Sequence, residues 1–304
     1  MGRTLAEALE GRALLFEPVP PAVRASPVTS GLKLEELGRL LRGIPRLDGV
    51  DVPELVDENH DGRPYYRTGD VRPFARSLAE QTGREVVVNK VVAHLPSAEE
   101  LEHWLQETLE RELRNVVLVG GSSRYIPYPG PAVIDADRIA DRILRPAGGL
   151  VGNIAIPQRT GEAHRMVAKT RAGARFFTTQ ILFDGESVLR LLREYDRECR
   201  AQELRPGAVL LSFAPLADET DAEFVRWLGA DIPEAAERAI LGEEGGTAAS
   251  RSVRRALEVH REVHGTGQRE GWKVPVGANV EQISMRHLGS AVEMLRSFAE
   301  EIDR

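Results

Sequence analysis

The stretch FFTTQILFD, residues 176–184, decides the fold. Alternation sends Phe177, Thr179, Ile181 and Phe183 to one face and Phe176, Thr178, Gln180 and Leu182 to the other. A strand apolar on both faces belongs in a parallel sheet covered by helices. Directly after it, Val188, Leu191, Leu192, Tyr195 and Cys199 recur at helical spacing, so strand and helix form one βα unit. Gln180 is the one amide on the strand. It is either a core glutamine bonded to neighbouring backbone or a polar finger in a ligand cavity.

Outward from this unit the pattern repeats. Strand-like runs are expected at Ala13–Val19, Gly49–Val56, Glu85–Ala93, Asn115–Val119, Leu150–Ile156, Ala174–Phe183, Ala208–Pro215 and Trp272–Asn279. Helical patterns lie between them. In SAEELEHWLQETLEREL (97–113), Ser97 and Glu100 make a capping box, and Leu101, Trp104, Leu105, Leu109 and Leu113 form the core-facing stripe. Eight βα units in 304 residues define an α/β protein with a single (β/α)8 TIM barrel domain over residues 1–304. A doubly wound sheet is the alternative, but no GxGxxG follows the first strand. Two stretches, Asp57–Thr68 and Ser122–Pro131, read as long loops after strands, on the rim where barrel enzymes keep their sites.

Composition excludes several classes. With 40 Lys and Arg against 47 Asp and Glu, the net charge of −7 leaves no basic footprint for nucleic acid. No apolar run approaches a membrane span, and MGRTLAEALEGRALLFEP lacks the apolar core of a signal peptide. The single cysteine, Cys199, lies on a helix stripe as a small hydrophobe and permits no intrachain disulfide. A cytoplasmic location is the expectation.

Polar residues interrupt the strands at recurring places. Glu17 shares a face with Leu15 and Val19 in LLFEPVPP, where alternation asks for an apolar residue. Burial raises the pKa of an unpaired carboxyl, and an acid that keeps its proton near neutrality can protonate a substrate; the other reading is an ion pair closing the barrel. Asn89 or Lys90, Asn153, Ser212 and Asn279 interrupt four further strands, a pattern that suggests a polar-lined cavity. Arg63, Tyr65, Tyr66 and Arg67 on one rim loop, and Arg124, Tyr125 and Tyr128 on the other, suit either loop packing or stacking on an aromatic ligand. His260 and His264 are one turn apart on what reads as a charged, exposed helix. The order HREVH is not HExxH, and no third ligand is apparent, so no metal is expected.

Taken together, three blocks resemble the methylenetetrahydrofolate reductase family: GARFFTTQILFDGESVLRLLREY (173–195) is similar to its sixth strand and helix, LLFEPVPP to its first strand, and LGADIPEAAERAI (228–240) to its helix after strand seven. Their order and spacing agree, and the similarity spans nearly the whole chain. The resemblance implies reduction of 5,10-methylenetetrahydrofolate to 5-methyltetrahydrofolate with NADH or NADPH, ordinarily through FAD, in a barrel that often forms homo-oligomers. It implies Glu17 as the acid and Gln180 as a folate contact; Asn89, Asn153 and Asn279, from the polar interruptions of the strands, are expected to complete the substrate cavity. Where the family has LRGD, this chain has LVGGSS, with Val119 at the arginine and Gly121 at the aspartate. Glu162 and Lys169 match a glutamate and a lysine of the shortened segment after strand five. Two versions follow. In one, FAD binds through the backbone of Gly120, Gly121 and Ser122, with Lys169 near its phosphates. In the other, favoured by the missing arginine and aspartate, the nicotinamide passes hydride directly. A folate-binding barrel without reductase activity, serving as a subunit or methyl-transfer partner, is the alternative class.

Overall fold

The computed structural model describes residues 3–123, 125–242 and 245–303. The chain opens with α1 (Leu5–Leu9), β1 (Leu14–Glu17), α2 (Pro27–Arg42), β2 (Gly49–Val52), the short strands β3 (Val56–Glu58) and β4 (Pro64–Tyr66), and α3 (Arg72–Thr82). It continues through β5 (Glu85–Val91), α4 (Ala98–Glu110), β6 (Asn115–Val119), α5 (Val133–Leu144), β7 (Val151–Ala155), α6 (Glu162–Ala172) and β8 (Phe176–Thr179). The last part holds α7 (Glu186–Ala201), β9 (Ala208–Phe213), α8 (Glu219–Trp227), α9 (Glu234–Leu241), α10 (Ala248–Glu270), β10 (Val276–Glu281) and α11 (Leu288–Ile302).

Eight strands close a parallel barrel in the order β1-β10-β9-β8-β7-β6-β5-β2, the (β/α)8 arrangement. Leu15, Val87, Val117, Phe176, Ala208 and Leu210 pack in its interior, and Leu5, Ala8 and Leu9 of α1 join that cluster as a plug. The opposite faces of the strands, with Leu14, Phe16, Val50, Val88 and Phe177, pack against the helices. Gly152 is required inside the barrel: a Cβ there would lie 2.4 Å from the Phe176 ring. Gly152→Ala is expected to cost about 1–3 kcal/mol by overpacking, read as a lower urea midpoint, and Phe176→Leu in the same chain should return part of it.

The strands are mostly shorter than the sequence expectation, and the larger differences place the rim. Pro53, which has no N–H for the ladder, ends β2, and the chain re-forms as the β3–β4 hairpin inside the expected rim loop. The strand expected to run to Phe183 stops at Thr179, leaving Gln180 on the rim. The last strand begins at Val276 rather than Trp272, because Gly271, at φ 66°, caps α10 and Trp272 folds back with its N–H on the Gly267 carbonyl. It extends instead to Glu281. Finally, α10 is not an exposed charged helix: Val253, Ala256, Val259, His260 and Val263 form a buried face. His260 lies edge-on to Phe298 at 5.4 Å, and burial pushes its imidazole down to about 3, so it stays neutral. Among the described residues no group of His, Cys, Asp and Glu is arranged to hold a metal. No helix among them is long and apolar enough to cross a membrane. Cys199 is buried against the core, which pushes its thiol up to about 11.

Candidate functional site

The C-terminal mouth of the barrel is acidic and built from adjacent strands. Leu15 pairs with Gly49 and Phe16 with Val50, so Asp51 stands beside Glu17 on one side; Glu281 pairs directly with Glu17 on the other. Three inward-pointing carboxyls thus share one layer, separated only by the spacing of neighbouring strands, about 5 Å. Asn279 and Ser212 lie one layer deeper. Asn279 donates from Nδ2 to Glu17 Oε2 at 3.0 Å and to Ser212 Oγ at 3.4 Å.

No arginine or lysine enters this cluster among the ion pairs of the described residues. Burial pushes Glu17 up to about 7, while the Asn279 hydrogen bond pulls the other way. Asp51 and Glu281 are held well above the usual carboxyl range, first by burial and then by the charge of Glu17. Glu17 and Glu281 keep partial exposure to the mouth, whereas Asp51 is wholly buried. The arrangement suits proton delivery: like charges in a poorly solvated layer cannot all ionise, so at least one acid retains its proton near neutrality.

The other expected site residues divide. Asn89 faces the interior beside Asp51, and Asn279 holds Glu17. Asn153 departs from the expectation. Its Nδ2 donates to Asp137 Oδ1 of α5 at 2.8 Å, so it points outward into the helix layer. Its neighbour Gly152 occupies the inward position. Gln180 uses its amide on the backbone: Nε2 donates to the Leu228 carbonyl at 3.0 Å, and Oε1 accepts from the Ile181 N–H at 2.9 Å. Its second amide hydrogen and the other lone pair of Oε1 remain for a ligand. Sequence reasoning misses Asp51 and Glu281, although Asp51 in GVDV breaks a buried strand just as Glu17 does. Glu281 lies beyond the expected end of its strand.

The residues matched to a flavin site do not fit that role. Ser122 donates from Oγ to Glu58 Oε2 at 2.5 Å, and Tyr128 donates its hydroxyl to the same oxygen at 2.6 Å. His94 Nε2 is 2.9 Å from Glu58 Oε1. Burial alone would push Glu58 up, but the bonds from Ser122, Tyr128 and His94 outweigh it and hold the carboxyl below the ordinary glutamate range. A phosphate at GGSS would therefore meet a carboxylate. Gly121 is covered by Tyr128, whose Cζ would be 2.1 Å from any added Cβ, and Gly120 faces Val133. Lys169 donates to the Ile154 carbonyl at 2.9 Å in the helix layer, flanked by the charges of Glu162 and Asp137. Glu58 instead ties the β3–β4 hairpin to the loop after β6. Glu58→Ala is expected to leave the barrel intact and to speed amide exchange across residues 120–128 by about tenfold or more, measured by hydrogen–deuterium exchange.

On the same hairpin Tyr65 and Tyr66 are exposed, and Arg67 stacks on Tyr65 at 4.9 Å while pairing with Asp57. Arg124 lies outside the described residues.

Fold and site define a closed (β/α)8 barrel with a carboxyl-lined mouth. No protein-family model matches the chain, and no curated protein matches it by sequence. Among solved structures it is similar to an uncharacterized protein from Clostridium thermocellum that binds two copies of 5-methyl-5,6,7,8-tetrahydrofolic acid. The TM-score is 0.76 and the identity 16%, over 97% of this chain and 98% of that one. At that identity the likeness is one of fold.

Proposed function

We propose that the protein reduces 5,10-methylenetetrahydrofolate to 5-methyltetrahydrofolate with hydride taken directly from NADH or NADPH. The observation that carries this reading is the placement of Glu17 at the barrel mouth, flanked by Asp51 and Glu281 and held by Asn279, where burial pushes its carboxyl up to about 7. The folate-binding structural neighbour and the resemblance of the first-strand and sixth-strand motifs support the choice of substrate.

The chemistry asks little more of the protein than a placed proton and a placed ring. Glu17 gives its proton to N10 of the folate as the bond between N10 and the methylene carbon breaks. The electron pair of that bond leaves with N10, and N5 carries the methylene as an iminium. Hydride from the nicotinamide ring then adds to that carbon, yielding the N5 methyl group and the oxidised nicotinamide. The neighbouring carboxylates Asp51 and Glu281 favour both the protonated acid and, once ionised, the cationic iminium. Water returns the proton to Glu17, which keeps partial exposure for that purpose.

The test is NADH oxidation by the purified protein with methylenetetrahydrofolate, without added flavin, after its visible spectrum is recorded. Turnover from a colourless preparation is the expected result. Turnover that requires FAD would replace direct transfer by a flavin route. No turnover, with retained binding of 5-methyltetrahydrofolate, would leave the non-catalytic folate-binding barrel. On the acid assignment, kcat/KM should fall tenfold per pH unit above a midpoint near 7, because only the protonated Glu17 is competent.

A further inference from the structure

The acid chemistry gives Asp51 only an electrostatic part, through its charge beside Glu17. Asp51 is 0% exposed, and neither of its carboxyl oxygens has a hydrogen-bond partner. The Asn89 amide is near enough to temper its charge but makes no hydrogen bond of ordinary geometry to it. Two further acceptors are stranded along the same interior: Asn89 Oδ1, two residues beyond Asp51's partner on β5, and Asn279 Oδ1, one layer deeper on β10, are buried without donors. Native cores rarely leave such atoms unmatched unless something else supplies the hydrogens. Among the described residues these four buried oxygens lack partners, which suits a ligand that brings N–H donors. A carboxylate with both oxygens free complements two adjacent N–H groups in one plane.

We propose that Asp51, assisted by Asn89 and Asn279, is a specificity residue that grips the N–H and NH2 edge of a 2-aminopyrimidinone ring. The inference rests on the folate reading in one respect: there the ring is the pterin, and Asp51, next in register to Glu17, sets the ring against the acid. Glu17 and Glu281, which face Asp51 from β1 and β10, keep partial exposure and connect this layer to the mouth. Only an ionised Asp51 accepts two N–H bonds, while burial beside Glu17 keeps it protonated in the free protein. Binding therefore expels a proton.

Calorimetric titrations with 5-methyltetrahydrofolate and with 6-hydroxymethylpterin, each in phosphate and in Tris at pH 7, test this on the wild type and on Asp51→Asn. Asp51→Asn is expected to weaken both ligands about 10–100-fold and to abolish the buffer-dependent proton release of close to one proton per ligand. Its thermal transition should remain cooperative. Asp51→Glu should keep part of the proton release, and the 2-oxo analogue lumazine, lacking the amino donor, should bind the wild type no better than it binds Asp51→Asn. If the wild type takes the pterin but not the folate, and Asp51→Asn loses the pterin, the edge site stands and the proposed reaction falls. Binding by Asp51→Asn within threefold of wild type, with proton release intact, overturns the assignment, as does a wild type that binds neither ligand.

Discussion

Glu17→Gln is expected to lower turnover with methylenetetrahydrofolate by roughly 10²–10⁴-fold, the usual worth of a general acid, while 5-methyltetrahydrofolate affinity stays within about threefold. The substitution changes one atom type and preserves volume. Asn279 Nδ2, now 3.0 Å from a carboxylate oxygen, can donate to the new amide oxygen in the same way, so the layer keeps its packing. What is lost is the proton that N10 must receive before its bond to the methylene carbon can break. The residual rate should no longer fall above pH 7, since the group that titrates there is gone. Steady-state kinetics across pH 6–9 on both proteins decide the matter: a variant with wild-type kcat and an unaltered alkaline limb would remove Glu17 from the chemistry.

The second large effect is on stability. The folded protein holds Glu17 near 7 against an ordinary 4.5 and holds Asp51 and Glu281 high as well, so between those values the native state binds more protons than the unfolded chain. A raised carboxyl contributes its full stability below its unfolded value and loses it as pH rises through the folded one. Stability should therefore fall by about 3 kcal/mol between pH 5 and pH 8 from Glu17 alone, at about 1.4 kcal/mol for each pH unit separating its folded and unfolded pKa. Its neighbours add to the fall. Glu17→Gln should remove the part of that slope that Glu17 itself carries and reduce the rest, since Asp51 and Glu281 stay raised by burial but no longer meet its charge. Urea unfolding at the two pH values reads this directly. The variant should be the more stable protein at pH 8 and nearly equal at pH 5. A wild type equally stable at both would mean that water or a counter-ion solvates the mouth and that the carboxyls titrate normally.

Much of the barrel is legible in the sequence because its signals are local. Branched and aromatic runs alternating with amphipathic helices require only neighbours in sequence to be read, and Glu17 stands out as a charge in a run with no room for one. The same rule reaches Asp51, in GVDV, but not Glu281, which lies two residues past the expected end of its strand at Asn279 and enters β10 by pairing with Glu17. The GGSS loop misleads for a different reason. Glycines and hydroxyls suggest a free cradle, but Glu58, which fills it, comes from the hairpin after β2, 64 residues earlier in the chain than Ser122.

The amino-acid sequence by itself determined a parallel sheet wrapped in helices, eight units long, with an acid in its first strand. It could not say which way Asn153 and Asn279 point. A barrel strand is apolar on both faces, so its pattern carries no phase, and a shift of one residue exchanges interior for exterior. Closure of the barrel sets that phase. It turns Asn153 onto Asp137 and Asn279 onto Glu17, a partner 262 residues away, and it brings Glu17, Asp51 and Glu281 from the two ends of the chain into one layer.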